Sequence, residues 1–511
     1  MNAQIENSGR IAKNTMMLYM RMIVGMAVSL YTTRIVLGAL GEEDYGIYTL
    51  VGSVVGMMGM VTSLLSQGTS RFLTVALGKN DKRQLCNTFS AAITIHLVLA
   101  LLILLVGEGV GPGVISKLNI ASDRMDAAQF VFQLSLISSV VTVVQIPFHA
   151  VIVAHEKMNV YAYISIFEVV AKLLLVCLLL VVNTDKLKLY ATFYFAVGLV
   201  TALLYYLYGR RHFVECRVFT LHPDWKLYKE MADYTGWNAI GACAFTMNGQ
   251  GVTILLSMFG TVVNAARGLA GYISGVVYNF VNNFQTAARP QIVKLCAAQD
   301  YERMNKLVIK VSKFSAYLVG LIGVPLFLEM DYVLGMWLYE VPEYTVVFAR
   351  LTLLQGFVQA MDAPIGTGIH AVGRMRLPNL TSAFIYMMVL PVSYVAVKLG
   401  SSPEIAYVIT VCTYPLALCM DLYILHKYTC FPCVRFFKEA IGLPILFVVA
   451  TAGITELVVA GRMEDSLGRV VLTTALSLSL FFGGICWKGL TKGERNYLKE
   501  QITNKLKIYH G

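Results

Sequence analysis

The sequence predicts an all-α integral membrane protein of about fourteen transmembrane helices, and three observations carry that prediction. Hydrophobic residues make up 57% of the 511 positions and charged residues only 14%, with a mean hydropathy of +0.65, a balance foreign to soluble chains. Apolar windows of roughly 20 residues, each enough to cross about 30 Å of hydrocarbon, recur along the whole length. Lys and Arg alternate between rich and poor in successive connections, as the positive-inside rule requires.

The windows fall at about 14–37, 46–66, 86–106, 127–154, 160–182, 189–208, 233–258, 268–288, 310–330, 345–370, 378–398, 404–426, 437–460 and 467–487. With the N-terminus inside, cytoplasmic segments hold most of the 41 Lys and Arg. Outside loops collect acids such as Glu42, Glu43, Asp44, Glu329, Asp331, Glu340 and Glu343. The polar lead MNAQIENSGRIAKN runs into an apolar stretch with no small-residue cleavage site, so the first helix reads as uncleaved. Both ends are expected in the cytoplasm. The connections are short, leaving no room for a soluble catalytic domain; the longest inside connection, 209–232, reads as a basic segment on the membrane surface.

The net charge of +11 sits in loops, where it sets orientation and meets anionic headgroups, and no aromatic-basic nucleic-acid module accompanies it. The ten cysteines are scattered through apolar stretches and suggest no disulfide framework. Cys430 and Cys433 form a lone C-x-x-C, without the second pair that a zinc site needs. No cofactor and no resident metal is expected.

Internal symmetry appears in the second and eighth helices. SQGTSRFLTVALGKNDKRQL and NFQTAARPQIVKLCAAQDYERMNKL both carry Gln-x-x-x-Arg, Gln67 with Arg71 and Gln285 with Arg289, before a basic connection. An offset of six helices keeps the two copies in the same orientation, related by an axis along the membrane normal. The implied domains are an N-lobe at 1–208, a cytoplasmic connection at 209–232, a C-lobe at 233–426, and a terminal helix pair with a tail at 427–511.

The run TTRIVLGALGEEDYGIYTLVGSVVGMM resembles the L-G-x-x-x-Y-G-x-Y signature of polysaccharide transporter proteins, the Wzx-like oligosaccharide flippases. VVQIPFHAVIVAHEKMNVYAYISIFEVVAKLLLV is similar to their segment joining the fourth and fifth helices. The resemblance implies the MATE-like fold of the multidrug/oligosaccharidyl-lipid/polysaccharide (MOP) superfamily, two six-helix lobes around a cavity open alternately to each side, plus two C-terminal helices. It further implies a cargo, an oligosaccharide on polyprenyl diphosphate, moved to the periplasmic leaflet of a bacterial inner membrane for O-antigen, capsule or exopolysaccharide assembly. A polymerase and assembly proteins would be its partners, beside membrane lipids.

An anionic headgroup crossing hydrocarbon needs cations along its path, and a charge inside a helix persists only where it is paired or faces a cavity. Arg21 lies about two turns into the first helix; Arg34, near its outer end, suits snorkelling. Glu168 and Lys172 stand i, i+4 in the fifth window, Glu first, so they either neutralise each other or lend the lysine to a phosphate. Arg71 and Arg289 sit at matching cytoplasmic helix ends, where guanidinium suits bidentate phosphate contact or simple headgroup binding. Arg267, at the outer start of the eighth helix, is a candidate for contact during release. Asp362, in QAMDAPIGTGIHAVGRMR, accompanies Pro364 and three glycines and marks either a packing kink or a hinge with a proton or cation site. His149, beside Pro147, is a second candidate for proton linkage. Gln145, Asn248, Gln250 and Asn282 could line a polar cavity or tie helices together.

No G-x-x-x-x-G-K-[ST] loop is present, which points away from ATP hydrolysis toward gradient-driven or downhill alternating access. A multidrug or cation antiporter and a lipid II flippase remain open as alternatives. The reading from a different class is a membrane glycosyltransferase with Glu42, Glu43 and Asp44 as an acidic pair, but it lacks a periplasmic acceptor region.

Overall fold

The structure, a computed structural model, describes residues 2–58, 69–70, 72–74, 76–77, 81–155, 157–182, 184–217, 225–373 and 376–490, except the side chains of 2–19, 21, 58, 226, 232–242, 287, 290, 376 and 460. Among these residues the chain is helical, with no strand. In order the helices are α1 (Asn2–Met58), α2 (Lys82–Ile115), α3 (Met125–Ala154), α4 (Met158–Leu178), α5 (Lys186–His212), α6 (Trp225–Leu256) and α7 (Thr261–Ala297). There follow α8 (Tyr301–Leu328), α9 (Met330–Trp337), α10 (Thr345–Val372), α11 (Arg376–Lys398), α12 (Glu404–Thr429), α13 (Cys433–Val459) and α14 (Leu467–Gly489).

Among the described residues, ten of these helices are long and apolar enough to cross a membrane. The count expected from the sequence was about fourteen, and the difference has three sources. The first window and the described part of the second, 46–58, lie on one helix, α1, bent where Gly41 takes φ 79°, a left-handed conformation natural to glycine. Helices α7 and α10 are long but less apolar, carrying Asn282, Gln285 and Asp362, and α6 is not among the ten because the side chains of 232–242 lie outside the described residues.

Two boundaries also move. Helix α2 runs on to Ile115, shortening the outside loop expected at 107–126. Helix α8 begins at Tyr301, nine residues before the window at 310–330, and Lys313 within it is buried.

The chain divides into two compact units. Unit 1 comprises Met1–Gly268, Leu338–Thr345 and Ser382–Ala406. Its core joins Ile47, Leu50, Val51 and Val54 of α1 to Ala128, Val131, Phe132 and Leu136 of α3. Gly107 and Gly111, one turn apart on α2, leave the space into which Leu136 and Phe132 fit; a methyl at either glycine would run into those side chains, the small-residue device by which membrane helices approach closely.

At one end of this unit Arg124 clasps two acids, its Nε donating to Asp44 at 2.8 Å and its Nη1 to Asp185 at 3.2 Å. Burial works against the charged form of Asp185. The backbone N–H of Lys188, the Arg124 guanidinium and the N–H of Leu187 outweigh it and hold the carboxyl below its ordinary value. At the other end His155 stacks on Phe213 at 4.3 Å and bonds the buried Glu215 at 2.7 Å. Arg217 donates to the carbonyls of Arg210 and Arg211, capping the end of α5. The remainder of the surface segment expected at 209–232 lies in part outside the described residues.

Unit 2 comprises Leu269–Trp337, Val346–Thr381 and Tyr407–Gly511. Met304, Val308 and Ile309 of α8 meet Ile365 and Ile369 of α10 and Leu418, Leu422 and Leu425 of α12. The opposite side of α8 receives the terminal pair α13 and α14. Gly320 lies against Phe481 and Val448, and Tyr317, Phe447 and Phe481 form one aromatic cluster. Glu329, 1% exposed, accepts from Arg469 at 2.8 Å and from Thr473 at 2.7 Å. Ser477 donates to Thr455 at 3.2 Å across the α13–α14 seam.

Candidate functional site

The polar residues picked out of the sequence lie in both units, in separate groups. In unit 1, α4 places Glu168 and Lys172 one turn apart, and the ammonium donates to the carboxylate at 2.6 Å. Lys172 Nζ also stands 4.0 Å from the centroid of the Tyr194 ring on α5. The lysine therefore has a carboxylate and a π-face as partners, the arrangement that lets a cation persist in a low-dielectric setting. Tyr194 in turn neighbours Tyr190 at 6.2 Å and Tyr48 of α1 at 6.5 Å, and Tyr48 meets Tyr190 edge-on at 4.9 Å.

A second strip of polar groups in unit 1 runs along α6. Asn248 is buried with no partner for its Oδ1, and Gln250 lies against Gly56 of α1. Arg267 is drawn back onto this strip, donating from Nε to Thr253 and from Nη2 to the carbonyl of Gly249, both at 2.6 Å. Its guanidinium joins α7 to α6 in this state. His149 sits among aromatics, 4.8 Å from Tyr161 and 5.6 Å from Tyr205, and Gln145 is half-buried one turn earlier on α3. Arg34 lies over Tyr339 at 4.7 Å.

In unit 2, Arg289 donates to Asn282 Oδ1 at 3.0 Å along α7. The phenol of Tyr278, one turn before Asn282, is within electrostatic reach of both Arg289 and Asp362. Asp362 on α10 is within electrostatic reach of a carboxylate that sequence reasoning missed, Asp421 on α12, and each has a buried Oδ1 without a hydrogen-bond donor. Gln285, read from the sequence only as part of a repeat, is buried and donates to Ser315 Oγ at 3.0 Å and to the carbonyl of Ala360 at 2.9 Å, leaving its Oε1 unpartnered. Helices α7, α8, α10 and α12 thus surround a polar group containing two acids with unused oxygen lone pairs, chemistry suited to holding a proton or a small cation.

The remaining candidates fall elsewhere. Arg71, with Gln67, lies outside the described residues. Arg21 is part of α1, but its side chain is also outside them. Asp44, weighed as half of an acidic pair, is engaged by Arg124. Among the described residues no group of three or more His, Cys, Asp or Glu is placed to hold a metal ion.

A family model described as MatE matches residues 18–178. Among solved structures, the lipid II flippase MurJ in an inward closed conformation is similar with a TM-score of 0.70 at 10% identity, covering 93% of this chain and 98% of that one. An inward-facing multidrug resistance MATE family transporter of the MOP superfamily gives 0.64 at 16% identity, with coverage of 80% and 99%. A MOP superfamily transporter from Pyrococcus furiosus gives 0.57 at 14%, with coverage of 82% and 96%. No curated protein matches the chain. The chain therefore has the multi-pass helical fold that MurJ and the MATE structures share.

Proposed function

We propose that this chain is a flippase for polyprenyl-diphosphate-linked oligosaccharide repeat units, working by alternating access in a bacterial inner membrane and feeding the assembly of a surface polysaccharide. The observation that carries the reading is Lys172, a cation well inside a membrane-spanning helix whose partners are a carboxylate and an aromatic face. A phosphate can compete for such an ammonium, since a doubly charged diphosphate offers more than one carboxylate does. A structural neighbour named as a lipid II flippase and the polysaccharide-transporter signature near Gly41 support the same class of cargo.

On this reading fourteen spans form two lobes and a terminal pair, with both chain ends in the cytoplasm. Arg21, Arg71 and Arg289 receive the headgroup from the inner leaflet, Lys172 and Glu168 hold it in transit, and Arg267 meets it on leaving. Gln145, Asn248, Gln250 and Asn282 offer hydrogen bonds to sugar hydroxyls. Asp362 with Asp421, or His149, couples the cycle to a proton or cation gradient. Polymerase and assembly proteins receive the product.

The test is made in cells. Depletion of the protein should leave lipid-linked oligosaccharide in the inner leaflet, protected in spheroplasts from an impermeant sugar-oxidising reagent, and Lys172→Ala should fail to relieve that protection while inserting normally. Unchanged exposure of the lipid-linked sugar on depletion sinks the reading. A drug or cation antiporter is the second reading, favoured by the paired acids Asp362 and Asp421 in a fold shared with MATE transporters.

A further inference from the structure

The ammonium of Lys172 covers two different sugar-recognition groups at once. Its Nζ occupies a face of Tyr194, 4.0 Å from the ring centroid, and engages Glu168 at 2.6 Å. An aromatic face stacks on the C–H side of a pyranose, and a carboxylate accepts from its hydroxyls; together they form the usual apolar and polar halves of a sugar site. Both halves are engaged by the ammonium while the lysine stays.

The supporting geometry is rigid. Tyr194 stands on α5 one turn after Tyr190, which is buried and braced edge-on by Tyr48 of α1 at 4.9 Å. Tyr194 itself is 39% exposed. Lys172 and Tyr194 lie about 9 and 12 Å along their helices from the α4–α5 turn, at 1.5 Å per residue, hence at matching depth. Removing the ammonium would bare the ring and free the carboxylate in one step, without moving a helix.

We propose that Lys172 is a placeholder on a pyranose-binding subsite made of Tyr194 and Glu168. Transfer of the ammonium to the diphosphate of the cargo uncovers the subsite for the sugar next to that diphosphate. This rests on the flippase reading and adds an order to it, headgroup first and sugar second. A lipid diphosphate without sugar draws the lysine away but gains nothing from the vacated ring.

The experiment measures binding of the purified, detergent-solubilised full chain to a polyprenyl diphosphate, bare or carrying a single glucose, galactose or N-acetylglucosamine. At least one sugar-bearing lipid should bind about tenfold tighter than the bare one, the order of one hydrogen bond to a charged group. Tyr194→Leu should erase that gain, so that bare and sugar-bearing lipids bind the variant equally, whereas Tyr194→Phe should keep it. Equal affinity for bare and all sugar-bearing lipids, or a sugar gain that survives Tyr194→Leu, overturns the subsite while the diphosphate reading stands. If no diphosphate lipid binds better than a phospholipid of matched charge, the flippase reading itself fails and the subsite goes with it.

Discussion

Single residues in this protein are costly in proportion to how completely their charges are enclosed. Glu329, 1% exposed and shared between Arg469 and Thr473, is the extreme case. Glu329→Ala should leave the Arg469 guanidinium with only Asp465 and the Met463 carbonyl and cost about 1.5–3 kcal/mol, read as a lower thermal midpoint of the solubilised protein. Arg124 is less enclosed, its side chain 25% exposed and those of Asp44 and Asp185 16% and 30%. After allowing for solvent screening, Arg124→Ala should cost about 1–3 kcal/mol by the same measurement. The residue scale is also where sequence reading was weakest. Glu168 and Lys172 were legible because opposite charges at i, i+4 stand out in an apolar window, where each charge is expensive unless it is paired or meets a ligand. Asp421 was equally isolated in TYPLALCMDLYILHKY but had no proline or glycine beside it to draw notice. Tyr194 carries no charge, and an aromatic residue in a membrane helix suits lipid contact as readily as a binding role.

At the scale of elements, the apolar windows located the long helices but not the short α9, while helix ends and seams had to come from packing. Helix α8 shows why: a window set by hydropathy starts it at 310, after its polar first turns, although the hydrogen-bonded helix already runs from Tyr301. The docking of α13 and α14 was likewise invisible, since Gly320, Phe481 and Val448 are ordinary residues until they meet. Gly320→Val should wedge that seam apart and cost about 1–3 kcal/mol, with faster proteolysis of the terminal pair as the readout. Cys430 lies exposed in the turn between α12 and α13, on the side that the positive-inside reading of the sequence expects to be cytoplasmic. Its thiol should react with an impermeant maleimide in inside-out vesicles and not in intact spheroplasts. Cys216 is buried, which pushes its thiol up from the ordinary value, and should resist the reagent from either side.

For the whole molecule, the fold was readable before the cargo, because a bilayer constrains composition and length along the entire chain whereas recognition rests on a few side chains. The charge census and the apolar windows led to a multi-pass helical protein, and the likeness to MurJ and MATE structures gives its architecture. What moves through it is argued from Lys172 and its neighbours. If the paired acids Asp362 and Asp421 link transport to a gradient, then Asp362→Asn should leave downhill flipping in place but abolish its acceleration by an imposed proton or sodium gradient. Flipping itself is measured by reconstituting the chain in proteoliposomes with a fluorescent polyprenyl-diphosphate oligosaccharide and following its protection from an impermeant quencher. A flippase gives protein-dependent loss of protection, reduced at least several-fold by Lys172→Ala. Full protection in the presence of protein, with drug or cation exchange in the same vesicles, would contradict that reading and assign the fold to antiport.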